Sequence, residues 1–270
     1  MIIQGLWIGN DLTQYEYSSI QSFINNGFEY HLYVYNNIGN IPKDCIIKDA
    51  RDILPETDIF LYENSFAPFS DLFRYKLLFT KGNYWADCDC YCLHPFEIKE
   101  DYLFVAERTI KQGAFKSILP YKPLNSFIGV LHSGNSFFEM LYNDCNKYKN
   151  DYLEQKINIK VNKNVGMTSY HWKGGVKYFG NMIKKHNLET YIKPYNWAFP
   201  IDWWNYDKLY KPNIIKFNIG RGWDGDCILD DVINDNNNKM IILHNGWVKN
   251  KKIDKTEKQL NNFISKYIIK

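Results

Sequence analysis

Within its first 35 residues the chain carries the pattern of a strand, a helix and a second strand. Residues 2–8 and 31–35 are short apolar runs of strand length. Between them, Thr13-Gln14-Tyr15-Glu16 is a capping box, in which a Thr hydroxyl and a Glu carboxylate satisfy backbone donors at a helix start. Tyr17, Ile20, Phe23 and Ile24 follow at helical spacing, and Gly27 can adopt the left-handed conformation that closes the helix. Two strands separated by so short a helical connection must run parallel, joined by a right-handed crossover. That unit seeds an open, Rossmann-like α/β sheet, and such sheets bind ligands at the carboxyl ends of their strands.

The rest of the chain extends the pattern. Further strands are expected over residues 45–48, 84–90, 103–106, 126–131 and 239–244, and helices over 70–82, 137–148, 174–186 and 256–269. Residues 191–216 mix Pro194, Pro200 and Pro212 with Trp197, Trp203 and Trp204, which predicts an irregular flank. The fold class is therefore α/β, a mostly parallel open sheet with flanking helices and an irregular C-terminal region. With 270 residues and 45% apolar side chains there is enough material for one continuous core over residues 1–270 without disulfide or metal support.

Several function classes are excluded at this level. No run approaches the roughly 20 apolar residues that cross a bilayer, so no transmembrane segment is expected. The opening ten residues lack a secretory pattern, so a cytoplasmic setting is expected, with Cys45, Cys88, Cys90, Cys92, Cys145 and Cys227 as reduced thiols. A net charge of +3, from 33 basic and 30 acidic side chains, argues against nucleic acid as partner.

Chemistry concentrates at Asp87-Cys88-Asp89. On a strand, residues two apart share a face, so Asp87, Asp89 and Tyr91 are expected on one side and Cys88, Cys90 and Cys92 on the other. Paired carboxylates at a strand end suit a hard cation, Mn²⁺ or Mg²⁺, and a cation there would bridge a diphosphate. Alternating cysteines lack the turn between ligands that a zinc or iron–sulfur site uses, although Cys88, Cys90, Cys92 and His94 keep that alternative open. Asp71 and Arg74, three apart on the preceding helix, share one face, where they can converge on a ligand or be an ordinary surface pair. Asp224, Asp226, Asp230 and Asp231 lack the spacing of a calcium loop and are read as an acidic turn. Trp203 and Trp204 could stack a sugar or pack in the core.

The block Ser70-Asp71-Leu72-Phe73-Arg74-Tyr75, Leu77-Leu78 and Lys81-Gly82-Asn83-Tyr84-Trp85-Ala86-Asp87-Cys88-Asp89 resembles the signature of retaining glycosyltransferases with the GT-A fold, especially glycosyltransferase family 32. The family pattern has a second glycine where this chain has Asn83. Gln4-Gly5-Leu6-Trp7-Ile8-Gly9 is similar to the opening of capsular-polysaccharide-type transferases, and Ile242-Leu243-His244-Asn245-Gly246-Trp247 looks like their late histidine and tryptophan block. The resemblance implies a nucleotide-sugar part over about residues 1–132 and an acceptor part over about residues 133–270. It places Leu6, Trp7, Ile8 and Trp247 at the nucleotide, Asp71 and Arg74 at the donor, and Asp87, Asp89 and His244 at the metal. Asn125, with the looser matches Phe127-Ile128-Gly129 and Val165-Gly166-Met167-Thr168, joins the reacting sugar, and Asp224 and Asp226 are further candidates for it. The implied activity is metal-assisted transfer of a sugar from a nucleotide-sugar, UDP-linked first, to a glycan or other hydroxyl acceptor with retention of configuration. A non-catalytic carbohydrate-binding scaffold, and a metal-dependent sugar-nucleotide hydrolase or nucleotidyltransferase, stand as alternatives.

Overall fold

The computed structural model describes residues 1–62, 64–108, 121–161, 172–201, 217–218, 226–227 and 229–242. The opening unit is as the sequence predicts. Strand β1 (Ile2–Trp7) leads to helix α1 (Gln14–Asn25) and returns as β2 (Glu29–Val34), paired in parallel with β1. Thr13 caps α1 with both halves of the capping box formed, and Gly27 takes φ +82° after its end. Strand β3 (Ile46–Asp49) adds to β2, again in parallel.

Helix α2 (Ala67–Lys81) begins one turn before the expected start at Ser70. Pro68 lies in its first turn, where its missing N–H costs nothing, and the Ser65 hydroxyl accepts from the Ala67 N–H at 3.1 Å. Gly82, at φ +64°, ends the helix, and Asn83 at φ +65° turns the chain into β4 (Asn83–Ala86). Asn tolerates this left-handed backbone better than most residues, which accounts for its presence in the second glycine position.

The expected long strand over residues 84–90 is two elements. After Ala86 the chain turns, closed by the Cys90 N–H on the Asp87 carbonyl at 3.0 Å, and β5 (Cys90–Cys92) departs from the main sheet. Acidic side chains favour turns over buried strand interiors, because their carboxylates compete for backbone donors and resist desolvation. The predicted alternation from Asp87 to Cys92 therefore fails. Tyr91 is fully buried and its hydroxyl donates to the Tyr15 carbonyl at 3.2 Å, instead of sharing a face with the carboxylates.

Strands β6 (Tyr102–Arg108) and β7 (Tyr121–Val130) follow, then α3 (Ser136–Val161) and α4 (Val176–Lys185). Helix α3 runs well past residue 148, where the apolar period fades. Lys149 lies buried on this stretch and reaches Asp58 at 2.9 Å, while Tyr152 packs on Phe60 and Tyr62. Two short 3-10 helices follow, Glu189–Tyr191 and Tyr195–Trp197; residues 191–201 of the expected irregular flank carry no longer element, and residues 202–216 of it lie outside the described residues. Strands β8 (Phe217–Asn218) and β9 (Asp226–Cys227) pair antiparallel; α5 (Leu229–Asn234) precedes β10 (Met240–Ile242), which pairs antiparallel with β5. The expected helix over residues 256–269 lies outside the described residues.

The main sheet has six strands in the order β3-β2-β1-β4-β7-β6, and within it only β7 runs against the others. It is the mostly parallel α/β sheet with flanking helices that the pattern predicts. Side chains alternate between two cores as the strand period requires. Leu6, Tyr33, Trp85, Phe104 and Ile128 face α2, α3 and α4; Ile3, Leu32, Tyr84, Val105 and Phe127 face α1, β5 and β10. No helix among the described residues is long and apolar enough to cross a membrane.

Candidate functional site

The carboxyl ends of β1 and β4 lie side by side, since the two strands pair in parallel through Ile3 with Tyr84 and Gln4 with Trp85. Leu6, Trp7 and Ile8 leave one end and Asp87, Cys88 and Asp89 the other. A bond from the Cys88 thiol to the Leu6 carbonyl, at 3.6 Å, ties the two segments together. The Trp7 indole N–H is fixed by the Asn10 carbonyl at 2.6 Å, which leaves the ring half-buried at this edge.

On the other side of β4, the register of β7 against β6 shifts between Phe104 and Val105, which oppose Ile128 and Leu124 respectively. The extra residues form a bulge holding Asn125 and Ser126. Bulges commonly re-aim a side chain next to a site, and here the Asn125 amide is turned towards α2. It donates to Asp71 Oδ1 at 2.8 Å and to the Tyr75 hydroxyl at 3.1 Å. The Ser126 carbonyl accepts from the Asp87 N–H at 2.8 Å, the last rung before the chain turns.

Arg74 organises the centre. Helical spacing brings it beside Ser70 and Asp71, and it is 4% exposed. Its Nη2 meets Asp87 Oδ1 at 3.1 Å, Ser70 Oγ at 2.9 Å and Asp71 Oδ1 at 3.6 Å. Nη1 donates to the Asn125 carbonyl at 2.6 Å and to Asp87 Oδ2 at 3.4 Å, and Nε donates to the Ser70 carbonyl at 3.1 Å. The guanidinium also lies 4.9 Å from the Trp85 ring. A buried cation survives only when its partners offset the lost hydration; burial pulls the Arg74 pKa down, and the Asp87 and Asp71 carboxylates together raise it above the ordinary value. The expected fork onto sugar or phosphate is thus spent inside the protein.

The two carboxylates beside Arg74 differ. Asp87 remains 30% exposed at its side chain and accepts the Trp85 indole N–H at 2.8 Å. Asp71 is nearly enclosed; burial raises its pKa to about 6, against the opposing pull of Arg74 and the Trp172 N–H. That indole donates to Asp71 Oδ2 at 2.9 Å. Asp89, two residues beyond Asp87, is half-buried on the turn.

The structure therefore brings together Asp71, Arg74, Asp87 and Asn125, with Asp89 on the same turn and Leu6, Trp7 and Ile8 on the neighbouring strand end. His244, Trp247, Trp203, Trp204, Asp224 and Val165-Gly166-Met167-Thr168 lie outside the described residues. Asp226 lies on β9 and Asp230 on α5. The zinc or iron–sulfur alternative gains no support. The thiols of Cys88, Cys90 and Cys92 each donate to a backbone carbonyl, and a ring nitrogen of His94 bonds to the Ile233 carbonyl at 2.7 Å. Among the described residues, no three His, Cys, Asp or Glu side chains are grouped to hold a metal. Sequence reading missed Ser70, Tyr75, Trp85 and Trp172 as parts of the cluster. The first three stand inside the quoted block, whereas Trp172 lies 101 positions from its partner Asp71 and has no local signal.

No family model matches the chain, and no curated protein matches it. Among solved structures it is similar to the PaToxG glycosyltransferase, with 15% identity and a TM-score of 0.45 over 70% of each chain.

Proposed function

We propose that the chain is a metal-assisted GT-A glycosyltransferase, transferring a sugar from a nucleotide-sugar, UDP-linked, to a hydroxyl of a glycan or similar acceptor with retention of configuration. The observation that carries this reading is the pair Asp87 and Asp89 on a turn at the carboxyl edge of a parallel sheet, with Asp87 clamped by Arg74. The block resemblance to family 32 transferases adds the reaction class.

The residues present fit a hard divalent cation. Asp87 Oδ2 meets Arg74 at 3.4 Å, a long contact that leaves lone pairs to share, and Asp89 adds a second carboxylate. Mn²⁺ or Mg²⁺ held by Asp87 and Asp89, with His244 as a further ligand, would offset the charge that grows on the departing diphosphate.

The chain's own side chains do the positioning. Arg74 and Trp85 fix the Asp87 carboxylate before any ligand arrives, so little reorganisation is needed on binding. Asp71, steadied by Asn125, accepts a hydroxyl of the donor sugar. Leu6, Trp7 and Ile8 take the base, a role the block resemblance extends to Trp247. As the acceptor oxygen bonds to the anomeric carbon, the bond from that carbon to the diphosphate oxygen breaks, and the acceptor's proton passes to the departing diphosphate.

Product analysis tests the reading. Purified protein with Mn²⁺ and a panel of nucleotide-sugars is expected to release nucleoside diphosphate and to glycosylate an acceptor. Asp89→Asn, a near-isosteric change at a half-buried turn residue, is expected to abolish turnover with little change in the unfolding midpoint. Full activity in that variant rejects the assignment; release without transfer points to a hydrolase.

A further inference from the structure

Trp172 belongs to none of the expected site residues, yet it touches the most buried carboxylate of the cluster. Its indole N–H donates to Asp71 Oδ2 at 2.9 Å, and its ring packs on Phe60 with centroids 5.6 Å apart. Gly174 allows this approach. A Cβ on Gly174 would lie 2.4 Å from Cys145 Sγ and 2.7 Å from the Trp172 ring, and one on Gly175 would lie 3.6 Å from Asp71 Oδ2. The Gly174 carbonyl in turn accepts from the Tyr75 hydroxyl at 3.4 Å. Residues 172–175 are thereby pinned to α2 at two points, Asp71 and Tyr75.

Each Asp71 oxygen receives one neutral N–H, Oδ1 from Asn125 and Oδ2 from Trp172, while Arg74 stands 3.6 Å away, beyond a good hydrogen bond. Two donors from separate elements fix the carboxylate torsion, which helix geometry alone leaves free. A carboxylate oxygen accepts two bonds, so one acceptor site per oxygen remains for a ligand, on a side chain that keeps 11% exposure.

We propose that Trp172 is a positioning residue: its indole N–H orients the Asp71 carboxylate for the donor's sugar hydroxyls, so that it governs recognition of the sugar and not of the nucleotide. This rests on the transferase reading of the same site. One lost orienting hydrogen bond is worth about tenfold in affinity. A purely structural tryptophan would weaken all ligands together.

The experiment measures Kd for UDP, UDP-glucose and UDP-N-acetylglucosamine in Mn²⁺ for the unaltered chain, Trp172→Phe, Trp172→His, Asp71→Asn and the Phe and Asn double variant. Trp172→Phe is expected to lose about tenfold for whichever sugar donor binds best, with UDP unchanged within about twofold. Trp172→His, which restores a ring N–H, is expected to recover most of that loss. In the Asp71→Asn background, Trp172→Phe is expected to add nothing, because the residue acts through Asp71. Equal losses for UDP and UDP-sugar, no loss at all, or losses that multiply with Asp71→Asn overturn the proposal. An unaltered chain that binds UDP but gains nothing from any sugar also overturns it. An unaltered chain that binds none of the three removes the transferase reading itself, and this inference with it.

Discussion

Asp71 and Arg74 are three residues apart and share one buried cluster, but their energetics run in opposite directions. Burial raises the Asp71 pKa to about 6, from an ordinary value of 3.8, so the folded chain holds a proton that the unfolded chain has released between those values. The stability that Asp71 contributes is therefore greatest below pH ~4 and is lost as pH rises through about 6, a change of about 3 kcal/mol. Asp71→Asn is expected to flatten this limb, so that its stability relative to the unaltered chain improves between pH 4.5 and 7.5 in urea unfolding. An unchanged slope would mean that Asp71 titrates normally. The same protonation removes the acceptor proposed for the sugar, so donor affinity should fall below pH ~6. Arg74 behaves otherwise. Arg74→Met leaves Asp71 and Asp87 without their shared cation in a buried setting, which costs about 3–5 kcal/mol. Chemical denaturation should register that loss together with lost donor binding, whereas Asp89→Asn should show the second without the first.

At the scale of elements, local rules account for most of what the chain does, and each departure has a physical source. The Thr13 capping box, the Gly27 stop and the Gly82 stop are all legible, because each needs only a few neighbouring residues. The turn at Asp87 is less so: the apolar and aromatic run Tyr84-Trp85-Ala86 reads on smoothly into the cysteines, and only tertiary pairing reveals that β5 belongs with β10. The extension of α3 was hidden for a similar reason, since Lys149 is counted polar until Asp58 is seen opposite it. Of the site, Asp71, Arg74, Asp87, Asp89 and, by a looser match, Asn125 could be named from helical spacing and the block resemblance. The bulge that turns Asn125 inward, and the arrival of Trp172, depend on contacts across 54 and 101 positions and leave no local trace. Gly129 on β7 tests how tightly these elements are fitted. A Cβ there would sit 2.1 Å from Cδ1 of Tyr84, on the strand that leads to Asp87. Gly129→Ala is expected to cost about 3 kcal/mol, the upper range for overpacking. A variant with an unaltered midpoint would show that β4 and β7 can separate without cost.

Taken as a whole, the molecule gathers its charged residues where the topology brings strand ends together. The four neighbouring strands β3, β2, β1 and β4 run parallel, so their carboxyl ends share one edge, and the crossover through α2 delivers Asp71 and Arg74 to that edge. With both Asp87 and Asp71 already engaged by protein donors, a cation and a nucleotide-sugar are expected to bind as a linked pair: Asp87 and Asp89 would hold the cation, which would supply the positive charge that lets a diphosphate approach these carboxylates. Neither alone meets the site's full complement of charge. Ligands that bind only the folded state stabilise it by about 2.7 kcal/mol at one hundred times Kd, which for a chain of this size is about 5–10 °C in Tm. Mn²⁺ with a UDP-sugar is therefore expected to raise Tm by about that amount, each alone by much less, and a chelator to return the midpoint to its starting value. Additive shifts from metal and nucleotide measured separately would mean that they occupy independent sites, and the carboxylate turn would then have to be assigned another role.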